Sequence, residues 1–166
     1  MPKALVIYPA GHGPIEQVAR AIYGGASETG LETTLLSTEH PVDVSGYDLI
    51  FLGSGVYGLG KFDSKIMAAV HAGHWAGKRA CVFSTHSGRG KAHVEAVGNE
   101  LGKKNAKLAG TIAIQLHGLA SVIGRGKPSE TDMVRAFAFG ERQAYDLLGR
   151  RPAKEQEKRR IKGYRK

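Results

Sequence analysis

The fold is decided by residues 3–16, KALVIYPAGHGPIE, where an apolar run passes into a glycine-rich loop and then into a helical pattern. The run KALVIY, residues 3–8, is short and apolar throughout, which is typical of a strand buried on both faces of a parallel sheet. Pro14 suits the first turn of a helix, and Ile15 and Val18 follow at helical spacing. The stretch therefore predicts a strand, a tight loop and a helix in succession.

The same alternation continues along the chain. Further strands are expected at residues 31–37, 48–55, 79–85 and 107–118, the last one bent or interrupted at Gly110. Helices are expected at residues 14–28, 61–73, 91–104 and 129–149, with Ser129 as the N-cap of the final helix and Asp132 in its capping-box position. Strands that alternate with helices imply parallel pairing with right-handed crossovers. Residues 1–149 are thus expected to form one domain, a doubly wound five-stranded α/β sheet with helices on both faces.

Three loops are the candidate ligand sites of such a sheet. Ligands bind beyond the carboxyl ends of the strands, near the point where the strand order reverses. The loops in question are residues 9–14, 54–61 and 85–89.

Three motifs in these positions resemble the flavodoxin family. They are the strand, glycine loop and helix of residues 3–28, GSGVYG at residues 53–58, and FSTHSGRG at residues 83–90. The later segment GRGKPSETDMVRAFAFGERQA, residues 124–144, also resembles a helix-opening stretch of flavodoxin-like proteins. The resemblance extends over nearly all of residues 3–148. It implies the strand order 2-1-3-4-5 and flavin mononucleotide (FMN) as the cofactor of a protein that transfers one or two electrons.

The first loop departs from the family's phosphate-binding pattern. Ala10, His12 and Ile15 stand where the family has hydroxyl residues, and Pro14 replaces an asparagine and removes a backbone N–H. A hydrogen bond to a charged group contributes about 1.5–3 kcal/mol, so the loss of several would weaken phosphate binding sharply. The start of the helix still offers amides and a positive dipole end, and a protonated His12 would replace part of the lost donation. The expected phosphate-binding residues are Ala10, Gly11, His12, Gly13, Pro14 and Ile15.

The other two loops suit the flavin ring. By resemblance, Tyr57 offers an aromatic face for stacking, and the hydroxyls and amides of the third loop would bond the pyrimidine carbonyls. His86 and Arg89 would add positive charge that stabilises a reduced, anionic flavin, which fits a hydride-accepting or quinone reductase better than a low-potential shuttle. The expected ring-binding residues are Ser54, Gly55, Val56, Tyr57 and Gly58 on the second loop and Thr85, His86, Ser87, Gly88 and Arg89 on the third.

Several other function classes lack their motifs. The chain has no GxxxxGK[ST] phosphate loop, no Gly-x-Ser-x-Gly elbow and no cluster with metal-ligand spacing. Cys81 is the single cysteine, which rules out an internal disulfide and fits a reducing compartment. No apolar run reaches about 18 residues. A cytoplasmic location is therefore expected.

Positive charge is concentrated at the end of the chain. Nine of the 24 basic and two of the 15 acidic residues lie in residues 150–166, so that segment carries a balance of +7 and the rest of the chain only +2. Its composition predicts a disordered or solvated tail. An anionic partner for it, whether nucleic acid, a membrane surface or an acidic redox protein, is left open.

Two functions from different classes remain. The first is an FMN-binding redox protein, either an electron carrier or an FMN-dependent oxidoreductase, that passes electrons or hydride from a reduced donor to a redox partner protein or a small-molecule acceptor such as a quinone. The alternative is a module with the same fold that has lost FMN and binds a partner, nucleic acid or another anionic ligand. The altered first loop supports the alternative.

Overall fold

The computed structural model describes residues 1–11, 13–56, 60–88, 90–118 and 126–150. Their strands are β1 (Lys3–Tyr8), β2 (Glu32–Ser37), β3 (Leu49–Val56), β4 (Arg79–His86) and β5 (Lys107–Gln115). Their helices are α1 (Gly13–Glu28), α2 (Ser64–Ala72), α3 (Gly90–Lys103) and α4 (Glu130–Leu147).

These strands form one parallel sheet with the order β2-β1-β3-β4-β5. The predicted fold class and strand order are therefore confirmed. The three central strands are apolar along nearly their whole length because both of their faces are covered by helices. In the described part of the chain, no helix is long and apolar enough to cross a membrane.

The core has two halves, one on each face of the sheet. The first contains Val6, Phe51 and Phe83 of the central strands together with apolar residues of α1 and α4. The second lies under α2 and α3 and contains Trp75, which is only 1% exposed. The Trp75 Nε1–H donates to the Val70 carbonyl over 2.9 Å, so this side chain anchors the end of α2.

Helices α1 and α4 pack closely on the first face through two glycines. A Cβ at Gly25 would overlap the backbone carbonyl of Phe137, and a Cβ at Gly140 would overlap the backbone of Ile22. The two backbones approach so closely because neither helix carries a side chain at the crossing point. The close contact with α4 therefore fixes the position of α1.

Both β3 and β4 extend beyond their expected ends. Expected to stop at residues 55 and 85, they continue to Val56 and His86, which pair with each other in the parallel ladder. Backbone pairing between two distant segments adds these residues, and no local pattern reveals it. Helices α1 and α3 likewise begin one residue earlier than expected, at Gly13 and Gly90.

Strand β5 is irregular at Gly110, as the sequence predicts. The β4–β5 register shifts there, since Ala80 pairs with Leu108 and Cys81 with Gly110. Strand β5 ends at Gln115, earlier than the expected residue 118. Ser129 caps α4 and forms a complete capping box with Asp132, as the sequence predicts.

Candidate functional site

The carboxyl ends of β1, β3 and β4 lie side by side at one edge of the sheet. Backbone hydrogen bonds connect these strand ends to the segments beside them: the Ser87 N–H donates to the Val56 carbonyl over 3.4 Å, and the Thr38 N–H donates to the Tyr8 carbonyl over 3.0 Å. The Ala10 N–H in turn donates to the Thr38 hydroxyl over 3.3 Å. The three sequence-predicted loops therefore start from one continuous surface, the position at which ligands bind in this class of sheet.

The start of α1 is open on its N-terminal side. Gly11 has a left-handed φ of +79°, and Gly13 is the first residue of the helix. Among the described residues, apart from the neighbours in the chain, a Cβ at either glycine would meet no atom within 4 Å. The first-turn amides of a helix have no partner within the helix, so this open end is suited to an anion.

The buried side chains of the same turn limit what it can donate. Ile15 is fully buried in the core, and Pro14 is buried as well. Ile15 can offer a ligand only its backbone N–H, and Pro14 has none. The groups that the first turn of α1 offers to a ligand are therefore backbone groups rather than hydroxyls.

Glu16 does not oppose an anion at this end. Its Oε1 accepts two hydrogen bonds from the Arg20 guanidinium, at 2.8 and 3.0 Å. Arg20 lies one turn further along α1, so the carboxylate is directed away from the helix start. Its charge is partly offset there by the arginine.

Two residues near the first loop were not among the sequence-predicted site residues. Thr38, which follows β2, is 7% exposed and holds Ala10 by its hydroxyl. Lys65 of α2 places its ammonium 3.4 Å from the Thr38 carbonyl oxygen. A hydroxyl and a cation thus lie next to the loop that lost its own hydroxyls. Both come from other elements, so loop spacing gave no signal for them.

On the second loop, Ser54, Gly55 and Val56 can contribute backbone groups only. Ser54 is fully buried, and its hydroxyl accepts the Asp63 N–H over 2.8 Å. Asp63 is the N-cap of α2, so the Ser54 side chain is engaged in holding that helix. Val56 is buried, and Gly55 is half-buried.

The third loop begins later than expected. Thr85 and His86 belong to β4 and are buried, which leaves Ser87 and Gly88 as its described members, half-buried and exposed respectively. The surroundings of His86 act against the positive charge expected there. Burial lowers the pKa of His86, the neighbouring His93 lowers it further, and a backbone hydrogen bond with Gly88 only partly opposes them. The folded protein therefore disfavours the charged form of this ring.

Four predicted site residues lie outside the described part of the chain: His12, Tyr57, Gly58 and Arg89. The phosphate role of His12 and the stacking role of Tyr57 therefore stay predictions. Cys81 is fully buried, and this burial raises the pKa of its thiol, so it has the properties of a core residue and not of a nucleophile.

Solved structures with the same fold include flavodoxins and flavodiiron proteins. A flavodoxin from the domain Archaea superposes with a TM-score of 0.69 at 16% identity, over 88% of this chain and 99% of its own. Flavodoxin 1 from Bacillus cereus gives 0.66 at 21% identity, over 83% and 94%. The flavodiiron core from Synechocystis sp. gives 0.74 at 18% identity, over 89% of this chain but only 36% of its own. No protein-family model matches the chain.

These likenesses define the fold. The sheet order, the crossover helices and the superpositions together make this chain a flavodoxin-like domain.

Proposed function

We propose that this chain binds FMN at the carboxyl ends of β1, β3 and β4 and passes electrons or hydride from a reduced donor to an acceptor. The observation that carries the proposal is the open N-terminus of α1 beside two further strand ends on one edge of a flavodoxin-like sheet. Flavodoxins of this fold, such as those from Archaea and Bacillus cereus, support it by analogy. FMN supplies the redox chemistry, and the protein supplies binding, orientation and electrostatics.

The phosphate would lie at the start of α1. There the amides of Gly13, Ile15 and Glu16 and the positive end of the helix favour an anion. Lys65, reaching the neighbouring Thr38, would compensate for part of the missing hydroxyl donation. The ring would lie across the ends of β3 and β4, against the backbone of residues 54–56 and 87–88 and the predicted residues Tyr57, Gly58 and Arg89.

A charge placed at the helix start tests this arrangement. Gly13→Asp adds a carboxylate in open space, where it favours the helix but repels a phosphate. Gly46→Asp is the matched control, because it adds the same charge at an exposed glycine with open space around it. Gly46 precedes β3 and so lies at the amino ends of the strands, away from the candidate site. We expect Gly13→Asp to weaken FMN binding at least tenfold, and Gly46→Asp to leave it within twofold. Quenching of FMN fluorescence at low and moderate salt measures both.

The outcomes separate the two candidate functions. Sub-micromolar binding by the wild-type chain that resists salt and is lost in Gly13→Asp supports the FMN site. A colourless protein that takes up no FMN would refute it and favour the alternative, a flavodoxin-fold module that binds another anionic ligand or a partner. The buried Pro14 and Ile15 are the observation behind that alternative, since they leave the first loop poor in donors.

The acceptor and location complete the proposal. We place the protein in the cytoplasm, with a redox partner protein or a small molecule such as a quinone as acceptor. The basic residues 150–166 would attract an anionic partner, which is nucleic acid, a membrane surface or an acidic protein. A chain ending at Arg150 tests this role, because it should lose salt-sensitive binding to such partners while keeping its affinity for FMN.

A further inference from the structure

A cavity of about 530 Å³ lies at the β5 edge of the sheet, beside the third loop. Its wall consists of residues from the end of β4, the first turns of α3, the C-terminal half of β5 and the first turns of α4. This volume is in the range of sites for small organic ligands. Of the proposed FMN residues it includes only His86.

The wall carries two cationic side chains. Lys91 lies in the first turn of α3, and Arg135 lies in the second turn of α4. Asp132 is the acidic residue of the wall, and its carboxylate already accepts hydrogen bonds from the Ser129 backbone N–H, the Ser129 hydroxyl and Arg135, at 3.1, 2.8 and 3.2 Å. The cavity therefore favours an anion.

His86 lines this cavity and contains a buried polar atom. The residue is 7% exposed, and its Nδ1 has no partner with good hydrogen-bond geometry among the described residues, because the contact of the ring with the Gly88 backbone is too weak to count as one. Its ring lies directly against Gly90, where a Cβ would overlap it, so the ring is held in place at the start of α3. A buried nitrogen without a partner is costly, and a bound acceptor or donor would satisfy it.

The outer edge of β5 adds backbone donors. The Leu116 N–H donates to the His86 carbonyl over 2.8 Å, so the main-chain groups of Leu116 point toward β4. Successive residues of a strand direct their N–H and C=O groups to opposite sides. The main-chain groups of Gln115 and Ala113, both in the cavity wall, therefore point away from β4. An edge strand in this position can donate N–H groups to a ligand.

From this combination we propose that the cavity binds a small molecule that carries a carboxylate or a phosphate on an apolar body. The anionic group contacts Lys91, Arg135 and the His86 ring, which donates as a neutral imidazole. The apolar body lies against Val94 and Ile112. The site is formed by this chain alone and stands whether or not FMN is bound.

Two probes distinguish the two anions. The full ¹⁵N-labelled chain is titrated with benzoate and, separately, with inorganic phosphate, and amide shifts are followed by NMR. We expect saturable shifts at residues 86–88, 90–94, 111–117 and 132–135 with at least one probe. Saturation by benzoate alone identifies a carboxylate site, and saturation by phosphate alone identifies a phosphate site.

Matched variants test the residues. Lys91→Gln and Arg135→Gln should each lower the affinity for the probe at least fivefold, while Arg135→Lys should retain most of that affinity. Lys107→Gln is the control, because it removes the same charge from an exposed position at the other end of β5. The spectra themselves show that each variant is folded. The proposal is overturned if neither probe gives saturable shifts in these segments, if the shifts are confined to the tail, or if Lys107→Gln weakens binding as much as Lys91→Gln.

Discussion

At the scale of single residues, Ser54 connects the candidate site to the fold. Its buried hydroxyl accepts the Asp63 N–H, so the end of β3 and the start of α2 share one hydrogen bond. A buried donor that loses its partner keeps its full desolvation cost. The residue that sequence reasoning assigned to the flavin thus also has a structural role.

Ser54→Ala should lower the free energy of unfolding by about 1–3 kcal/mol, because the Asp63 N–H is left without its partner. Ser45→Ala is the control: Ser45 is exposed, its side chain bonds only the nearby Asp43, and we expect a loss below about 0.5 kcal/mol. Urea unfolding followed by circular dichroism measures both. Equal losses in the two variants would contradict the role given to Ser54.

His86 should make stability depend on pH in a defined window. Its pKa is lowered by burial from the ordinary value of 6.5, so below that pH the unfolded chain takes up a proton that the folded chain does not. Stability contributed by the neutral ring is present above about pH 6.5 and is lost as the pH falls through the lower, folded-state pKa. Melting temperatures between pH 8 and pH 5 should therefore fall less in His86→Gln than in the wild-type chain.

The exposed His40 provides the comparison for that experiment. His40→Gln should keep the wild-type decline between pH 8 and pH 5. Asp43 and Glu100, whose pKa values are lowered from 3.8 and 4.5, act below this window. A His86→Gln profile parallel to that of the wild type would show that the ring is not buried as a neutral group.

At the scale of elements, the crossing of α1 and α4 governs the position of the candidate phosphate site. Gly25 and Gly140 are both in helices, where glycine is ordinarily unfavourable by about 0.5–1 kcal/mol relative to alanine. Close backbone contact is the reason for their presence.

Gly140→Ala should therefore destabilise the protein by about 1–3 kcal/mol or more, since the new methyl group overlaps the Ile22 backbone of the other helix. Gly102→Ala is the matched control in α3, because that glycine is exposed with open space around it. We expect it to stabilise the protein by up to about 1 kcal/mol. Thermal unfolding distinguishes the opposite signs. A stabilising Gly140→Ala would mean that the helices are further apart.

Sequence patterns predicted the elements well because each strand is a short apolar run and each helix has its own periodicity. They misplaced the ends of β3 and β4 because Val56 and His86 are held by pairing with each other across the sheet. The contributions of Thr38 and Lys65 were missed for a related reason. They reach the first loop from other elements, and only the fold brings them there.

At the scale of the whole molecule, positive charge is concentrated in the last segment of the given sequence. The segment 150–166 carries +7 of the formal net charge of +9. Burial of the apolar faces of the sheet drives folding, whereas net charge governs the long-range attraction of anionic partners.

A chain ending at Arg150 should therefore keep the melting temperature of the full chain within about 2 °C, because a loss of 1 kcal/mol shifts it by about 2–8 °C in domains of 60–250 residues. Affinity for single-stranded nucleic acid at low salt should fall at least tenfold. Gel-shift titration and calorimetry measure the two quantities. A large drop in melting temperature would place residues 151–166 within the folded unit.

The contact between α1 and α4 also has a consequence for protein synthesis. About 120 residues separate the end of α1 from the end of α4. At roughly 5–20 residues per second, the ribosome makes the first helix some 6–24 seconds before the last one. During that interval the nascent chain leaves the apolar face of α1 around Gly25 without its partner helix and open to chaperones. Helix α4 is translated last among the described elements, so the position of α1, and with it the candidate phosphate site, is fixed only after α4 has been made.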